Sequence, residues 1–264
     1  MLLVSSESIF LKCIFFFAFL HPTYANNDLQ AERDKIKSER NSLAVGWRDN
    51  LDFKLPKPGS YKLYNIRESG NGKVIDEKGN EIYLHDAMKG KITLLSFIYS
   101  NCTDTNGCPL ATSVFYKIQE KLKNNKKILS KLKMISLSFD PEYDTPEVMS
   151  LYGKDLSYID AEWSFLTTNS MDSLEPILEN YDQPVIRKYK NDGSYDGVES
   201  HLLRVYLIDD KKLIRNIYNV DFLHPDLLIN DINCLLYTSP SPRDSWASRM
   251  ASCAWKKKGG GGGG

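Results

Sequence analysis

The chain has 264 residues, with 34 Lys and Arg against 34 Asp and Glu, so its formal net charge is zero. Basic residues scattered among acidic ones leave no electrostatic footprint for nucleic acid, and no nucleic-acid partner is expected. Of the five cysteines, only Cys102 and Cys108 lie outside the two end segments, too few for a scaffold built from disulfides.

Residues 1–25 combine Lys12, an apolar run Cys13 to Leu20 and the small-residue ending Thr23-Tyr24-Ala25. This reads as a secretory signal peptide. The run is shorter than the roughly 20 residues that span a bilayer; an uncleaved signal would serve as an anchor. The expected location is therefore exported and periplasmic, soluble or held at the inner membrane, with the mitochondrial intermembrane space as the alternative. Residues 26–58 are polar and charged and read as a tether or N-terminal extension.

A domain over 59–233 is expected to follow, large enough for a proper hydrophobic core. Tyr61 to Ile66 and Glu81 to Leu84 read as short strands, and Lys91 to Tyr99 as a fully buried strand. Pro109 to Asn124 reads as a helix, with Leu110, Val114, Ile118 and Leu122 four apart on one face. Lys133 to Phe139 is a second buried strand. Thr145 is placed as the N-cap of a helix that Pro146 opens. Trp163 to Leu166 is a strand, Ser173 to Tyr181 a helix, and Leu202 to Ile208 and Leu213 to Asn219 a hairpin through Asp209-Asp210-Lys211-Lys212. Pro225 to Ile232 begins a last helix. Strands alternating with helices indicate an α/β layer fold; the closing hairpin suggests a thioredoxin-like mixed central sheet flanked by helices, with an N-terminal β-hairpin. Residues 234–264, which include Ser-Pro repeats and runs of Lys and Gly, resemble translated sequencing adapter. They are expected to be non-native and to cut the last helix short after Asn233.

The segment Phe97-Ile98-Tyr99-Ser100-Asn101-Cys102-Thr103-Asp104-Thr105-Asn106-Gly107-Cys108-Pro109 puts one thiol where a strand ends and another where a helix begins. The helix N-terminus favours a thiolate at Cys108. Asn106 and Gly107 are expected to supply positive backbone angles for the intervening loop. Three readings of the pair stay open on these residues: a structural disulfide, a working redox dithiol, or two ligands of a metal. Soft thiolates with one imidazole suit Cu(I), whereas structural zinc wants four ligands. His85 and His224 read as surface or packing residues, Tyr99, Trp163 and Tyr206 as core aromatics, and Asp140 and Asp144 as a turn and a helix cap.

Four pieces, in order, resemble the SCO/SenC family. They are Gly90-Lys91 leading through Leu94-Leu95-Ser96-Phe97 into the Cys102 to Cys108-Pro109-Leu110 loop, then Asp140-Pro141-Glu142-Tyr143-Asp144-Thr145, then Trp163-Ser164-Phe165-Leu166-Thr167, and last His201 followed by Tyr206-Leu207-Ile208-Asp209. The resemblance implies a thioredoxin fold, copper held by Cys102, Cys108 and His201, and delivery to a cuproprotein such as cytochrome c oxidase subunit II. The alternative is a thiol-disulfide oxidoreductase working through Cys102 and Cys108 on a partner's copper-site or cytochrome cysteines. One departure stands out: the family usually places three residues between its cysteines, and here there are five.

Overall fold

The computed structural model describes residues 51–156 and 161–238. The expected signal segment, most of the extension and residues 239–264 lie outside the described residues. Among the described residues no helix is long and apolar enough to cross a membrane.

A six-stranded mixed sheet carries the fold. Its strands are β1 (Arg67–Glu68), β4 (Ile92–Ile98), β5 (Leu132–Ser138), β6 (Glu162–Leu166), β9 (Val205–Ile208) and β10 (Leu213–Tyr218), in the order β1-β10-β9-β4-β5-β6. Strand β4 runs parallel to β5, and β5 to β6, while β9 is antiparallel to β4 with Leu95 opposite Tyr206. All seven residues of β4 are buried. That is why its sequence is a nearly unbroken apolar run, as a central strand covered on both faces requires.

A separate antiparallel pair, β2 (Lys73–Ile75) and β3 (Glu81–Tyr83), forms the N-terminal hairpin, and β7 (Val185–Tyr189) with β8 (Tyr195–His201) forms a second one. The helices are α1 (Leu84–Ala87), α2 (Cys108–Leu122), α3 (Lys126–Leu129), α4 (Pro146–Gly153), α5 (Met171–Asn180) and α6 (Pro225–Thr238). In α2 the expected stripe Leu110, Val114, Ile118 and Leu122 is buried, together with Ala111 and Phe115. Thr145 caps α4 as expected, its side chain accepting from the Val148 amide, which satisfies one of the first-turn donors.

The core beneath the site is aromatic. Phe97, Tyr181 and Tyr206 are fully buried, with ring centroids 5.0 to 6.0 Å apart in edge-on arrangements. Their hydroxyls are satisfied, Tyr206 donating to the Tyr181 carbonyl at 2.7 Å and Tyr181 to the Gly70 carbonyl at 3.1 Å. A buried phenol without such partners would cost roughly 1–3 kcal/mol. Trp163 donates its indole N–H to Ser136 Oγ at 3.1 Å.

Three expectations about elements need correction. Residues 61–66 are not a strand: the carbonyls of Leu63 and Tyr64 accept from the Arg215 guanidinium instead of from a neighbouring chain. Only Arg67–Glu68 joins the sheet, against β10. The last helix is not interrupted at Cys234 but runs to Thr238, because Leu228, Ile232 and Leu235 continue one apolar face and are buried with Cys234. The strand expected from Leu202 starts at Val205, and His201 belongs to the preceding hairpin.

The segment before β1 is fastened to α6 by a polar cluster. Asp231 accepts from the hydroxyls of Tyr61 and Tyr218 and from Asn216 Nδ2, and Asn230 Nδ2 donates to Tyr61 Oη and to the Pro56 carbonyl.

Candidate metal centre

Strand β4 delivers the chain to Ser100, and a short turn follows in which the Cys102 amide donates to the Tyr99 carbonyl at 3.3 Å. Asp144 anchors that start: it accepts from the Ser100 amide at 3.1 Å, from the Ser100 hydroxyl and from the Ser138 hydroxyl at the end of β5. Asp144 is therefore not a helix cap, which Thr145 supplies; it is a buried tie between the two central strands just ahead of the first cysteine.

The two additional loop residues are absorbed by a turn from Asp104 to Gly107. The Gly107 amide donates to the Asp104 carbonyl at 2.9 Å, and Asp104 Oδ1 accepts from the Asn106 amide at 3.0 Å. Neither Asn106 nor Gly107 takes the positive φ expected of it; Gly107 has φ −99°. Cys108 then opens α2 with Pro109 beside it, where a missing amide hydrogen costs nothing.

The third residue arrives from the β7–β8 hairpin. His201 ends β8 opposite Val185. Its ring lies perpendicular to that of Tyr99 with centroids 5.6 Å apart, and 5.0 Å from that of Phe139. The hairpin itself is moored at Tyr195, which donates to Asp140 Oδ1 at 2.8 Å, and beside His201 by Gln183 Nε2, which donates to the Leu202 carbonyl at 2.6 Å. Tyr99 is thus part of the site's wall rather than only a core aromatic, and Asp140 holds the hairpin rather than only a turn. Their signal in the sequence was the Asp-Pro-Glu-Tyr-Asp-Thr segment and the position of Tyr99 three residues ahead of Cys102.

All three expected residues meet. One ligand atom each from Cys102, Cys108 and His201 lies within 4.8 Å of the others, and Cys108 Sγ is 3.5 Å from His201 Nε2. Cys108 is buried, with Cys102 and His201 partly exposed. His224 is buried and accepts from the Asp226 amide through Nδ1, and His85 is bonded to Ser69, so both belong to packing. Cys234, buried on α6, donates to the Tyr61 carbonyl and takes no part in the cluster.

The charge in the dithiol sits on the opposite cysteine from the expected one. Hydrogen bonding from Cys108 holds the Cys102 thiol far below its ordinary range, with His201 and local backbone groups adding to it against the cost of burial. The same bond to Cys102, and then burial, pushes Cys108 up. The helix N-terminus favours an anion at Cys108, but the bond to Cys102 and then burial act against it, so the lowered thiol is that of the partly exposed Cys102. The Tyr99 phenol is raised by burial and by the neighbouring Cys102 charge.

The donor set fits a small soft ion. Two sulfurs and one imidazole nitrogen converge without a carboxylate among them, and Gly107, whose Cβ would lie 3.3 Å from both Cys102 Sγ and His201 Nε2, has no side chain to crowd them. Three such donors match Cu(I), while a structural zinc site wants a fourth.

A thioredoxin-like sheet with two thiols and an imidazole gathered at the strand-to-helix junction defines a soft-metal or dithiol protein by class. The family model described as SCO1/SenC matches residues 67–237, and the chain belongs to that family. It is 25% identical over 158 residues to the SCO1 protein homolog of Bacillus subtilis, covering 60% of this chain and 77% of that protein. It is 26% identical over 166 residues to a SCO2-like protein of Rickettsia felis, covering 62% and 76%. In structure it resembles Bradyrhizobium japonicum ScoI, solved with copper bound, at TM-score 0.51 and 22% identity, covering 63% of this chain and 98% of that one. A further likeness, at TM-score 0.52 and 23% identity over 68% and 100%, is to BsSco, described as a member of the Sco family of cytochrome c oxidase assembly proteins with a disulfide switch.

Proposed function

We propose that the protein is a copper metallochaperone that holds one copper ion with Cys102, Cys108 and His201 and passes it to a cuproprotein, with cytochrome c oxidase subunit II as the expected acceptor. The observation that carries this reading is the convergence of those three side chains, from the loop after β4, the start of α2 and the end of β8, in one cluster. Family membership and the copper-bound relatives support it. Copper is the cargo, bound through two soft sulfurs and a nitrogen. Cys102, its thiol held below the ordinary range, ionises ahead of Cys108; Cys108 releases its proton as metal enters, so uptake is favoured by rising pH. Three protein donors leave room for an acceptor's ligand to join before one of these leaves. The reading includes an exported setting, in which the segment 1–25 directs or anchors the domain.

The test is titration of the reduced full-length chain with Cu(I) against a chromophoric competitor. One equivalent bound is the expected result, with binding lost on Cys102→Ala or Cys108→Ala and strongly weakened on His201→Ala. No competitive binding by the unmodified chain would overturn the reading.

A second reading is favoured by the unequal thiols. Cys102 thiolate attacks one sulfur of a partner disulfide, forming a mixed disulfide and releasing the partner's other sulfur as a thiolate. Cys108 then loses its proton and displaces the second partner sulfur, so the partner gains two electrons and a Cys102–Cys108 disulfide remains. His201→Ala separates the readings: exchange with a model disulfide survives under this one, while metal binding collapses under the first.

A further inference from the structure

The residue just ahead of the second cysteine is Gly107, buried and contacting the cluster from the loop side. A Cβ at this position would lie 3.3 Å from Cys102 Sγ, 3.3 Å from His201 Nε2 and 3.2 Å from the Asp104 carbonyl oxygen. Gly107 has φ −99° and ψ −129°. What a side chain would meet is the pair of ligand atoms.

The neighbours have little room to give. The His201 ring is held between Tyr99 and Phe139, and Phe139 is fully buried. The Asp104 carbonyl is fixed by the turn that accepts the Gly107 amide. Movement of Cys102 would pull on the Ser100–Asp144 tie two residues upstream.

We propose that Gly107 is a positioning residue for the metal: its missing side chain leaves Cys102 Sγ and His201 Nε2 free to take the positions they would need to hold an ion, and the five-residue loop serves to aim that bare Cα face at the cluster. The proposal rests on the copper reading. It also explains how a longer loop keeps a three-donor site open, because the Asp104–Gly107 turn folds the extra length back on itself and leaves the glycine at the ligands.

The experiment compares the full-length chain with its Gly107→Ala variant and places each also in a His201→Ala background. Cu(I) affinity is read by chelator competition, the Cu(II) absorption spectrum by titration, and the fold by thermal melting of the metal-free protein. Gly107→Ala is expected to weaken Cu(I) by about 10–100-fold, the range for losing a group that orients ligands, to shift the Cu(II) spectrum and to leave the metal-free melt near its original position. In the His201→Ala background, where the imidazole no longer competes for that space, the added loss should shrink. Unchanged affinity and spectrum in Gly107→Ala would overturn the proposal, as would a loss that is the same size in both backgrounds, since that signals a general effect on the fold. If the unmodified chain binds no copper, the copper reading falls and the proposal with it, an outcome set apart by the parent's own titration.

Discussion

Cys108 opens α2 and Cys102 follows β4 by a short turn tied to Asp144, both elements being largely buried, whereas His201 ends a two-stranded ribbon whose Ile186 and Tyr189 face solvent. The ribbon reaches the body through side-chain bonds, chiefly Tyr195 to Asp140 and Arg187 to Glu175 at 2.7 Å, and through the Gln183 bond to Leu202. The cysteines thus lie against the packed body, while the ribbon behind His201 is moored mainly by polar contacts and the His201 ring rests on Tyr99 and Phe139. Regions with few buried apolar contacts open at lower free energy than the core. The difference implies that the ribbon yields before the body does, with the His201 ring, packed on Tyr99 and Phe139, as its point of contact with the site.

Breaking the body should have the largest effect. Phe97→Ala opens a cavity among Tyr181 and Tyr206 and is expected to cost about 3–5 kcal/mol in denaturant unfolding; a loss below about 1 kcal/mol would contradict the packing described for the core. Cutting the ribbon's mooring is expected to be milder and local. Tyr195→Phe removes a bond to a carboxylate, worth roughly 1.5–3 kcal/mol, and hydrogen exchange should quicken in residues 185–201 with β4 unaffected. Equal acceleration in β4 would erase the contrast between the two regions.

Within the body the two thiols are themselves unequal. At neutral pH, one equivalent of iodoacetamide should label Cys102 in preference to Cys108 by more than about tenfold, the advantage of an exposed thiolate over a buried thiol; peptide mass spectrometry gives the ratio. Preference for Cys108 would reverse the charge assignment. The smallest expected effect is at the mooring carboxylate. Burial raises the Asp140 carboxyl above its ordinary value, partly offset by the Tyr195 bond. A raised folded value favours the fold below the ordinary carboxylate value and loses that contribution as pH rises through the folded one. Asp140→Asn, which still offers Tyr195 an acceptor, should therefore melt no lower than the parent at pH 7 and should flatten the dependence between pH 4 and 7. A melt that falls at neutral pH would show that the charge is needed.

The body was the legible region. Apolar runs at 92–98 and 132–138 and the four-residue spacing in α2 announce buried strands and a packed helix. The ribbon carried no such signal, because Val185 to His201 mixes charged, glycine and aromatic residues with bulges at Ile186/Arg187 and Lys188/Tyr189 that break any alternation. The site divides along the same line. The cysteines could be placed from the strand ending before Cys102 and the proline after Cys108, while His201 was found through family resemblance alone. Choosing the lowered thiol needs hydrogen bonding and burial, which spacing does not encode, and Gly107 reads in sequence as a source of positive φ, with no sign of the ligand atoms that face its Cα.

The fastening of Tyr61 to Asp231 and Asn230 has a bearing on presentation. Gly59 to Lys62 and Leu235, near the two limits of the described fold, line one cavity together with Ile92. Ile92 begins the strand that ends just ahead of Cys102, and a seven-residue strand is about 20 Å long. Segments joined before Gly59 or after Leu235 therefore leave from the far end of β4. A tether on that side would hold the domain by its base and turn the ligand cluster outward, toward whatever approaches from the opposite direction.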